Sequence, residues 1–138
     1  MKKGEYIYAR THADFLNELL GTNYKAWMKS CRKLSNGRQI WMIELGNFVS
    51  PSGWINQLTE KGISEKHIGR EYAFEEHETY VGAMLCGKYW DDSDRVVFDI
   101  VKSGAIRKYI FRGVFRLNKK ESTLNENVWD LILDKYMF

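Results

Sequence analysis

Alternating apolar and polar residues in the last third of the chain predict a β-hairpin. Two runs, 95–101 and 106–117, have an extended pattern, and Ser103-Gly104 between them has turn chemistry. Successive side chains of a strand point to opposite faces, so the second run has one apolar face and one cationic face. The basic residues of the cationic face are Lys108, Arg112 and Arg116.

Helical periodicity and cap residues predict three helices. Thr11 is the expected N-cap of the first helix, which covers Ala13 to Leu20 and stops at Gly21. The other two helices are each predicted from an apolar stripe at helical spacing. These stripes are Tyr24, Trp27, Met28 and Cys31 in the second helix, and Val128, Leu131, Ile132 and Tyr136 in a closing helix over 125–138.

The remaining segments complete a single α+β domain over residues 1–138. Residues 5–10, 39–45 and 79–85 are predicted to be extended, because they are rich in aromatic and β-branched residues. Residues 50–58 are expected to be irregular or briefly helical. The charged stretch 59–78 has no clean period and is expected to form loops with a turn of helix.

Composition indicates a globular, cytoplasmic protein. Of 138 residues, 44% are hydrophobic and 14% aromatic, which excludes a disordered chain. No apolar run is long enough to span a membrane, and the first residues lack the apolar core of a signal peptide. The net charge of +3 is unevenly distributed: residues 49–95 carry five basic and nine acidic side chains, and both flanking segments are basic. Basic and acidic surfaces are therefore expected to be separate.

No sequence motif for catalysis, metal binding or a cofactor is found. The three histidines and two cysteines do not have metal-ligand spacing, and no nucleophile elbow, phosphate loop or dinucleotide fingerprint is present. The sequence therefore predicts no metal and no cofactor. An acid–base pair such as His67 with Glu65 or Glu71 stays open, because catalytic groups are assembled in space rather than along the sequence.

The cationic strand face is a candidate phosphate-binding surface. Lys108 and Arg116 are eight residues apart, which corresponds to roughly 27 Å of strand at about 3.4 Å per residue. Arg107, Lys108, Arg112 and Arg116 are the predicted phosphate-binding residues. The alternative is an edge strand whose positive charges discourage pairing with other chains.

Aromatic residues suggest a pocket for a nucleic-acid base. Among the five tryptophans, Trp54 and Trp90 stand in segments where core packing is less evident, and Tyr89 adjoins Trp90. Such side chains stack on bases, and the amide of Asn56 is of the kind that reads a base edge. Core packing of the tryptophans, and a turn-bracing role for Asn56, are the alternatives.

Three segments together resemble the PUA-like superfamily, which includes the EVE, ASCH, YTH and SRA-type domains. They are Gly53-Trp54-Ile55-Asn56-Gln57-Leu58, the strand pair of Arg95-Val96-Val97-Phe98 and 109–117, and Val128-Trp129-Asp130. The resemblance covers roughly the C-terminal two thirds of the chain. It implies a curved mixed or antiparallel sheet, or a pseudo-barrel, with flanking helices. It also implies an aromatic pocket for one extruded base, formed by Trp54, Asn56 and Trp90.

The preferred function is a nucleic-acid reader, associated with defence, that recognises an extruded base and carries out no chemistry itself. Its partner is DNA or RNA, and it acts either as a stand-alone reader or with a separate protein effector. One alternative is a protein–protein interaction factor, such as an immunity or inhibitor protein of a mobile element, because Trp, Tyr and Arg are common at interfaces. A small ribonuclease or hydrolase is a third possibility.

Overall fold

The computed structural model describes residues 1–46, 49–51, 53–67, 92–123 and 126–138. These residues form one α-helix and eight β-strands. In chain order they are β1 Tyr6–Ala9, α1 His12–Leu20, β2 Cys31–Lys33, β3 Gln39–Ile43, β4 Trp54–Leu58, β5 Gly62–His67, β6 Arg95–Ser103, β7 Ile106–Leu117 and β8 Glu126–Leu133. No helix in this part of the chain is long and apolar enough to cross a membrane.

The strand pairing is mixed, which confirms the predicted α+β class. β3 and β6 run parallel, whereas β1 with β7, β2 with β3, β4 with β5 and β5 with β8 are antiparallel pairs. The chain divides into two compact units. The first unit contains Met1–Glu44, Arg95–Val114 and Leu133–Phe138, and the second contains Leu45–Asp94 and Phe115–Ile132. The prediction of one domain over 1–138 stays a prediction.

In the first unit, the strand order is β2-β3-β6-β7, and β1 pairs with β7. The hairpin predicted around Ser103-Gly104 is confirmed as β6 and β7. The aromatic core forms where α1 packs on these strands. The Phe15 ring is fully buried, stacks on Tyr109 at 4.2 Å between ring centroids and meets Phe98 edge-on at 4.7 Å. This stacking places the apolar face of β7 in the core, as the alternation predicts.

The first helix has the predicted caps. The Thr11 hydroxyl accepts a hydrogen bond from the Asp14 backbone N–H, and Gly21 ends the helix in the left-handed conformation at φ +69°. Because glycine has no Cβ, it adopts this conformation without steric cost. The helix N-terminus carries His12, so the caps position this side chain beside the core.

The second unit contains a three-stranded antiparallel sheet in which β5 lies between β4 and β8. β5 and β8 approach each other closely at Gly62. A Cβ at this position would lie 1.8 Å from the Trp129 carbonyl oxygen, so no other residue fits without moving a backbone. This close contact fixes the pairing of β5 with β8.

The predicted second helix is wrong. After α1 the chain is irregular as far as Ser30, and Cys31 begins β2. The Asn17 side chain accepts a hydrogen bond from the Tyr24 N–H at 2.7 Å and donates one to the Tyr24 carbonyl at 2.9 Å. These bonds satisfy backbone groups that a helix would otherwise pair, and Met28, on the expected apolar stripe, is 93% exposed.

The predicted closing helix is also wrong, because most of it is strand β8. Valine, tryptophan and isoleucine also favour strands, and pairing with β5 overrides a helical period that the sequence carries by coincidence. Pairing across the sheet likewise makes Trp54–Leu58 a strand rather than an irregular segment, and Gly62–His67 a strand rather than a loop. The expected strand 79–85 lies outside the described residues.

Candidate nucleic-acid interface

A row of polar side chains crosses the sheet of the second unit. Asn56 on β4 pairs with Glu65 on β5, and Glu65 pairs with Asn127 on β8. Directly paired residues project from the same face of a sheet, with Cβ atoms about 4.5–5.5 Å apart. The Asn127 amide Nδ2 donates a hydrogen bond to Glu65 Oε1 at 2.8 Å. We call Asn56, Glu65 and Asn127 the polar row.

Tryptophans lie on both sides of the polar row. Trp54 precedes Asn56 by two residues on β4, and Trp129 follows Asn127 by two on β8, so both share the face of the row. The Trp129 ring is 2% exposed, and its Nε1–H donates to Glu65 Oε1 at 3.3 Å. Two donors thus hold one oxygen of this carboxylate in place, whereas Trp54 is only half-buried.

Two acceptors of the polar row are buried without a hydrogen bond. Among the described residues, neither Asn56 Oδ1 nor Asn127 Oδ1 has a hydrogen-bond partner, and Asn127 is only 7% exposed. A buried acceptor left unsatisfied costs about 1–3 kcal/mol, and the great majority of such groups in proteins are paired. Together with the Glu65 carboxylate, these oxygens form a group of hydrogen-bond acceptors on one face of the sheet. The row is therefore suited to a ligand that presents N–H or O–H donors.

The sequence predicted only one side of this site. Trp54 and Asn56 lie together on one face of β4, whereas the predicted pocket residues Tyr89 and Trp90 fall outside the described residues. Asn127 was missed and Glu65 was named only as a possible acid–base partner of His67, because their segments were assigned to a helix and a loop. Polar and apolar residues do not alternate regularly over 127–130. Only the pairing with β5 therefore reveals which side chains share a face.

The predicted phosphate-binding residues of the first unit have partners within the protein. The Lys108 ammonium lies 4.0 Å from the centre of the Tyr6 ring, and Tyr6 is 48% exposed. Arg112 Nη2 forms an ion pair with Asp99 at 2.9 Å. The charge of Lys108 therefore stands beside an exposed aromatic ring, while that of Arg112 is offset by a buried carboxylate.

Arg107, the remaining predicted residue of this unit, lies beside a buried polar pair. His12 Nδ1 and the Tyr109 hydroxyl are 2.8 Å apart. Burial, with the charges of Arg107 and Lys102, lowers the pKa of His12 from 6.5 to about 4. Burial also raises the pKa of Tyr109 above its ordinary value. Both groups are therefore neutral at pH 7, and the pair is a structural part of the core.

Arg116, in the second unit, lies at an open depression of about 560 Å³. Its guanidinium donates two hydrogen bonds to Asp94, from Nε to Oδ1 at 3.0 Å and from Nη2 to Oδ2 at 2.9 Å. Lys119 forms an ion pair with Asp92 at 2.7 Å. The depression is lined by Asp92, Asp94, Arg116, Leu117, Asn118, Lys119, Lys120 and Asp130. Within the described residues, no cluster of three His, Cys, Asp or Glu side chains could hold a metal ion.

Comparisons with known proteins identify the family. No curated protein matches the chain. Among solved structures, the 5-hydroxymethylcytosine-specific restriction enzyme AbaSI has a similar fold, with a TM-score of 0.60 and 18% sequence identity over 93% of this chain. The match spans 39% of the length of that enzyme. The model of the SRA (SET and RING associated) domain family matches residues 1–138, which confirms the PUA-like resemblance. The chain therefore belongs to the SRA domain family, whose members bind DNA and read modified cytosine by base flipping.

Proposed function

We propose that the chain reads 5-hydroxymethylcytosine extruded from duplex DNA, and that the polar row binds the extruded base. The observation that supports this most strongly is the pair of buried, unsatisfied amide oxygens beside the Glu65 carboxylate. An extruded base brings N–H donors to these acceptors and relieves their desolvation penalty. The free energy lost by the unsatisfied oxygens in the unbound protein is thus recovered when the base binds.

The number of acceptors favours cytosine that carries a hydroxyl group. The exocyclic amine of cytosine has two N–H bonds, and carboxylates accept from this amine in specific DNA contacts. Glu65 and one asparagine oxygen can receive these two bonds. The second asparagine oxygen then remains for the hydroxymethyl O–H, a donor that 5-methylcytosine lacks. The specificity of the similar restriction enzyme AbaSI is consistent with this assignment.

Stacking and phosphate contacts would complete the interface. Trp54 flanks the polar row and is proposed to stack on the base, together with Tyr89 and Trp90. The basic residues of β7 are proposed to contact the DNA backbone and to supply affinity that does not depend on sequence. They are Arg107, Lys108, Arg112 and Arg116.

We also propose where the domain acts and with what partner. We place it in the cytoplasm, in a defence role, where it marks DNA for a protein effector that carries out the chemistry. The partner can be captured from host lysate with and without nuclease treatment. A partner that is lost after nuclease treatment is held through DNA, whereas one that persists binds the protein directly.

Binding to three matched duplexes tests the function. Fluorescence polarisation is measured with otherwise identical DNA that contains cytosine, 5-methylcytosine or 5-hydroxymethylcytosine at one position. We expect the tightest binding to the hydroxymethylated duplex. Asn56→Ala and Glu65→Gln should each reduce this preference by about 5- to 150-fold, which corresponds to roughly 1–3 kcal/mol per base contact.

The matched control is Gln57→Ala. Gln57 neighbours Asn56 but projects from the opposite face of β4, so its removal should leave the preference intact. Equal affinity of the wild-type protein for all three duplexes would overturn the proposed function. A preference that Gln57→Ala abolishes as effectively as Asn56→Ala would assign the reading to a different surface.

A further inference from the structure

We propose that the depression around Arg116 is a binding site for the DNA backbone, and that Asp92 and Asp94 occupy it as internal substitutes for phosphate. This inference rests on the proposed function, because it concerns how the same domain holds DNA outside the base pocket. A backbone phosphate would displace the carboxylates from the basic side chains. The protein thereby limits its affinity for DNA that carries no modified base.

The geometry of the Arg116 contact supports this exchange. The guanidinium holds Asp94 through two nearly equal hydrogen bonds of 3.0 and 2.9 Å, a fork that phosphate oxygens match equally well. The Asp94 carboxylate also raises the pKa of Arg116 above its ordinary value. The Arg116 side chain is 61% exposed and that of Asp94 is 15% exposed, so an incoming anion reaches the guanidinium from its solvent side.

A second cation of the depression is held in the same manner. Lys119 Nζ lies 2.7 Å from Asp92, and the side chains of both residues are more than two fifths exposed. Exposed pairs of this kind contribute little to stability, typically about 0–1 kcal/mol. Their exchange for contacts with a polyanion therefore carries a small penalty.

Among the described residues, the charges that line the depression cancel. Three basic side chains, Arg116, Lys119 and Lys120, face three carboxylates, Asp92, Asp94 and Asp130. Asp130 is engaged differently, because its Oδ2 accepts a hydrogen bond from Asn118 Nδ2 at 3.0 Å rather than from a cation. Displacement of the other two carboxylates would leave a net positive site. A phosphate therefore gains most by taking the place of Asp92 and Asp94.

The salt dependence of DNA binding tests the exchange. Asp94→Asn preserves the shape of the side chain but removes the charge that competes with phosphate. On unmodified duplex, log K against log salt should become steeper by about 0.9, the slope of one additional phosphate contact. Affinity at 50 mM salt should rise roughly tenfold.

Glu121→Gln is the matched control for net charge. Glu121 is exposed in the same unit and does not line the depression, so its neutralisation adds the same charge without releasing an arginine. In a background of Arg116→Ala, Asp94→Asn should have no further effect, as expected of two residues that act on one another. Circular dichroism of each variant verifies the fold.

The outcomes separate this inference from the proposed function. If wild-type protein distinguishes the modified duplex while Asp94→Asn behaves as Glu121→Gln does, the phosphate site is overturned and the reader function stands. Weaker binding by Asp94→Asn would also overturn it, because Asp94 would then position Arg116 rather than compete for it. If the wild-type protein binds no duplex at low salt, both proposals fail.

Discussion

The two faces of strand β8 differ in how their polar groups are hydrogen-bonded and paired. On one side Asn127 belongs to the polar row, which Trp129 adjoins, and two amide oxygens of the row are buried with no hydrogen bond among the described residues. On the other side Asp130 lines the depression, where Arg116 and Lys119 are each matched by a carboxylate. Adjacent residues of one strand thus adjoin a row with unsatisfied amide oxygens and a depression whose cations are paired, although Asp130 Oδ1 is itself buried with no hydrogen bond among the described residues.

Under the proposed function, this difference would separate selectivity for a base from general affinity for DNA. Unsatisfied buried acceptors bind only a ligand that supplies donors at the right positions, so they discriminate between bases. Surface cations attract any polyanion. Carboxylates that pair with these cations would therefore reduce the affinity of the protein for DNA in general. A domain that must find a rare modified base in a large excess of ordinary DNA benefits from both properties.

The largest effect on stability is expected from a substitution that disrupts the face of β8 on which the polar row lies. Gly62→Ala places a Cβ against the Trp129 carbonyl and forces β5 from β8, which disrupts the polar row. The free energy of unfolding should fall by about 3 kcal/mol, near the upper end for overpacking, as measured by urea denaturation. Binding to unmodified DNA through the basic residues should survive under conditions where the variant is folded.

Gly104→Ala is the control for a glycine substitution. Gly104 has φ +64° with open space around it, so the variant should lose only about 1 kcal/mol for the strained backbone. Equal losses for the two variants would show that the close approach of β5 and β8 does not limit the fold.

The next largest effect is the pH dependence of stability that His12 causes. Unlike the amide oxygens of the polar row, His12 is hydrogen-bonded, to Tyr109. The folded-state pKa of His12 is about 4, below the unfolded value of 6.5, so the unfolded chain binds more protons between these values. Stability should be full above about pH 6.5 and should decrease as the pH falls toward 4. Melting temperatures across this range would show it.

His12→Asn is the matched variant for the pH profile. The amide oxygen can accept from the Tyr109 hydroxyl but does not titrate, so the profile should be flatter in this range. A wild-type profile no steeper than that of the variant would contradict the assignment.

A smaller effect, of opposite sign, is expected in the polar row itself. Asn56→Leu replaces a buried amide with an unsatisfied oxygen by an apolar side chain of similar volume. The free energy of unfolding should rise by about 1 kcal/mol, while the preference for the modified duplex is lost. Thermal melts and competition binding measure the two effects. A less stable variant would indicate that Asn56 Oδ1 is satisfied in solution.

The smallest effect is expected at an ion pair next to the row. Lys66 Nζ lies 3.5 Å from Glu126, and the Lys66 side chain is 52% exposed. Lys66→Ala should change the free energy of unfolding by less than about 0.5 kcal/mol and leave base preference unchanged. A larger change in preference, measured with the same three duplexes, would extend the reading surface beyond the polar row.

Local patterns predicted α1 and the β6–β7 hairpin of the first unit, but they failed for residues 24–33 of that unit and for β5 and β8. Thr11 and Gly21 mark the ends of α1, and the alternation in 106–117 gives β7, because caps and strand faces are encoded by near neighbours. The chemistry of Trp54 and Asn56 also drew attention to β4. The shared position of Glu65 and Asn127 was not predicted, because it follows from the pairing of two strands whose residues are 62 positions apart in sequence. An isolated segment carries no record of that partner.

Extrusion of the base tests the central claim most directly. A duplex with 2-aminopurine beside 5-hydroxymethylcytosine becomes more fluorescent when the neighbouring base leaves the stack. Wild-type protein at saturating concentration should produce this increase, and Glu65→Gln, saturated in the same manner, should produce much less of it. An equal increase with both proteins would contradict the assignment of the extruded base to the polar row.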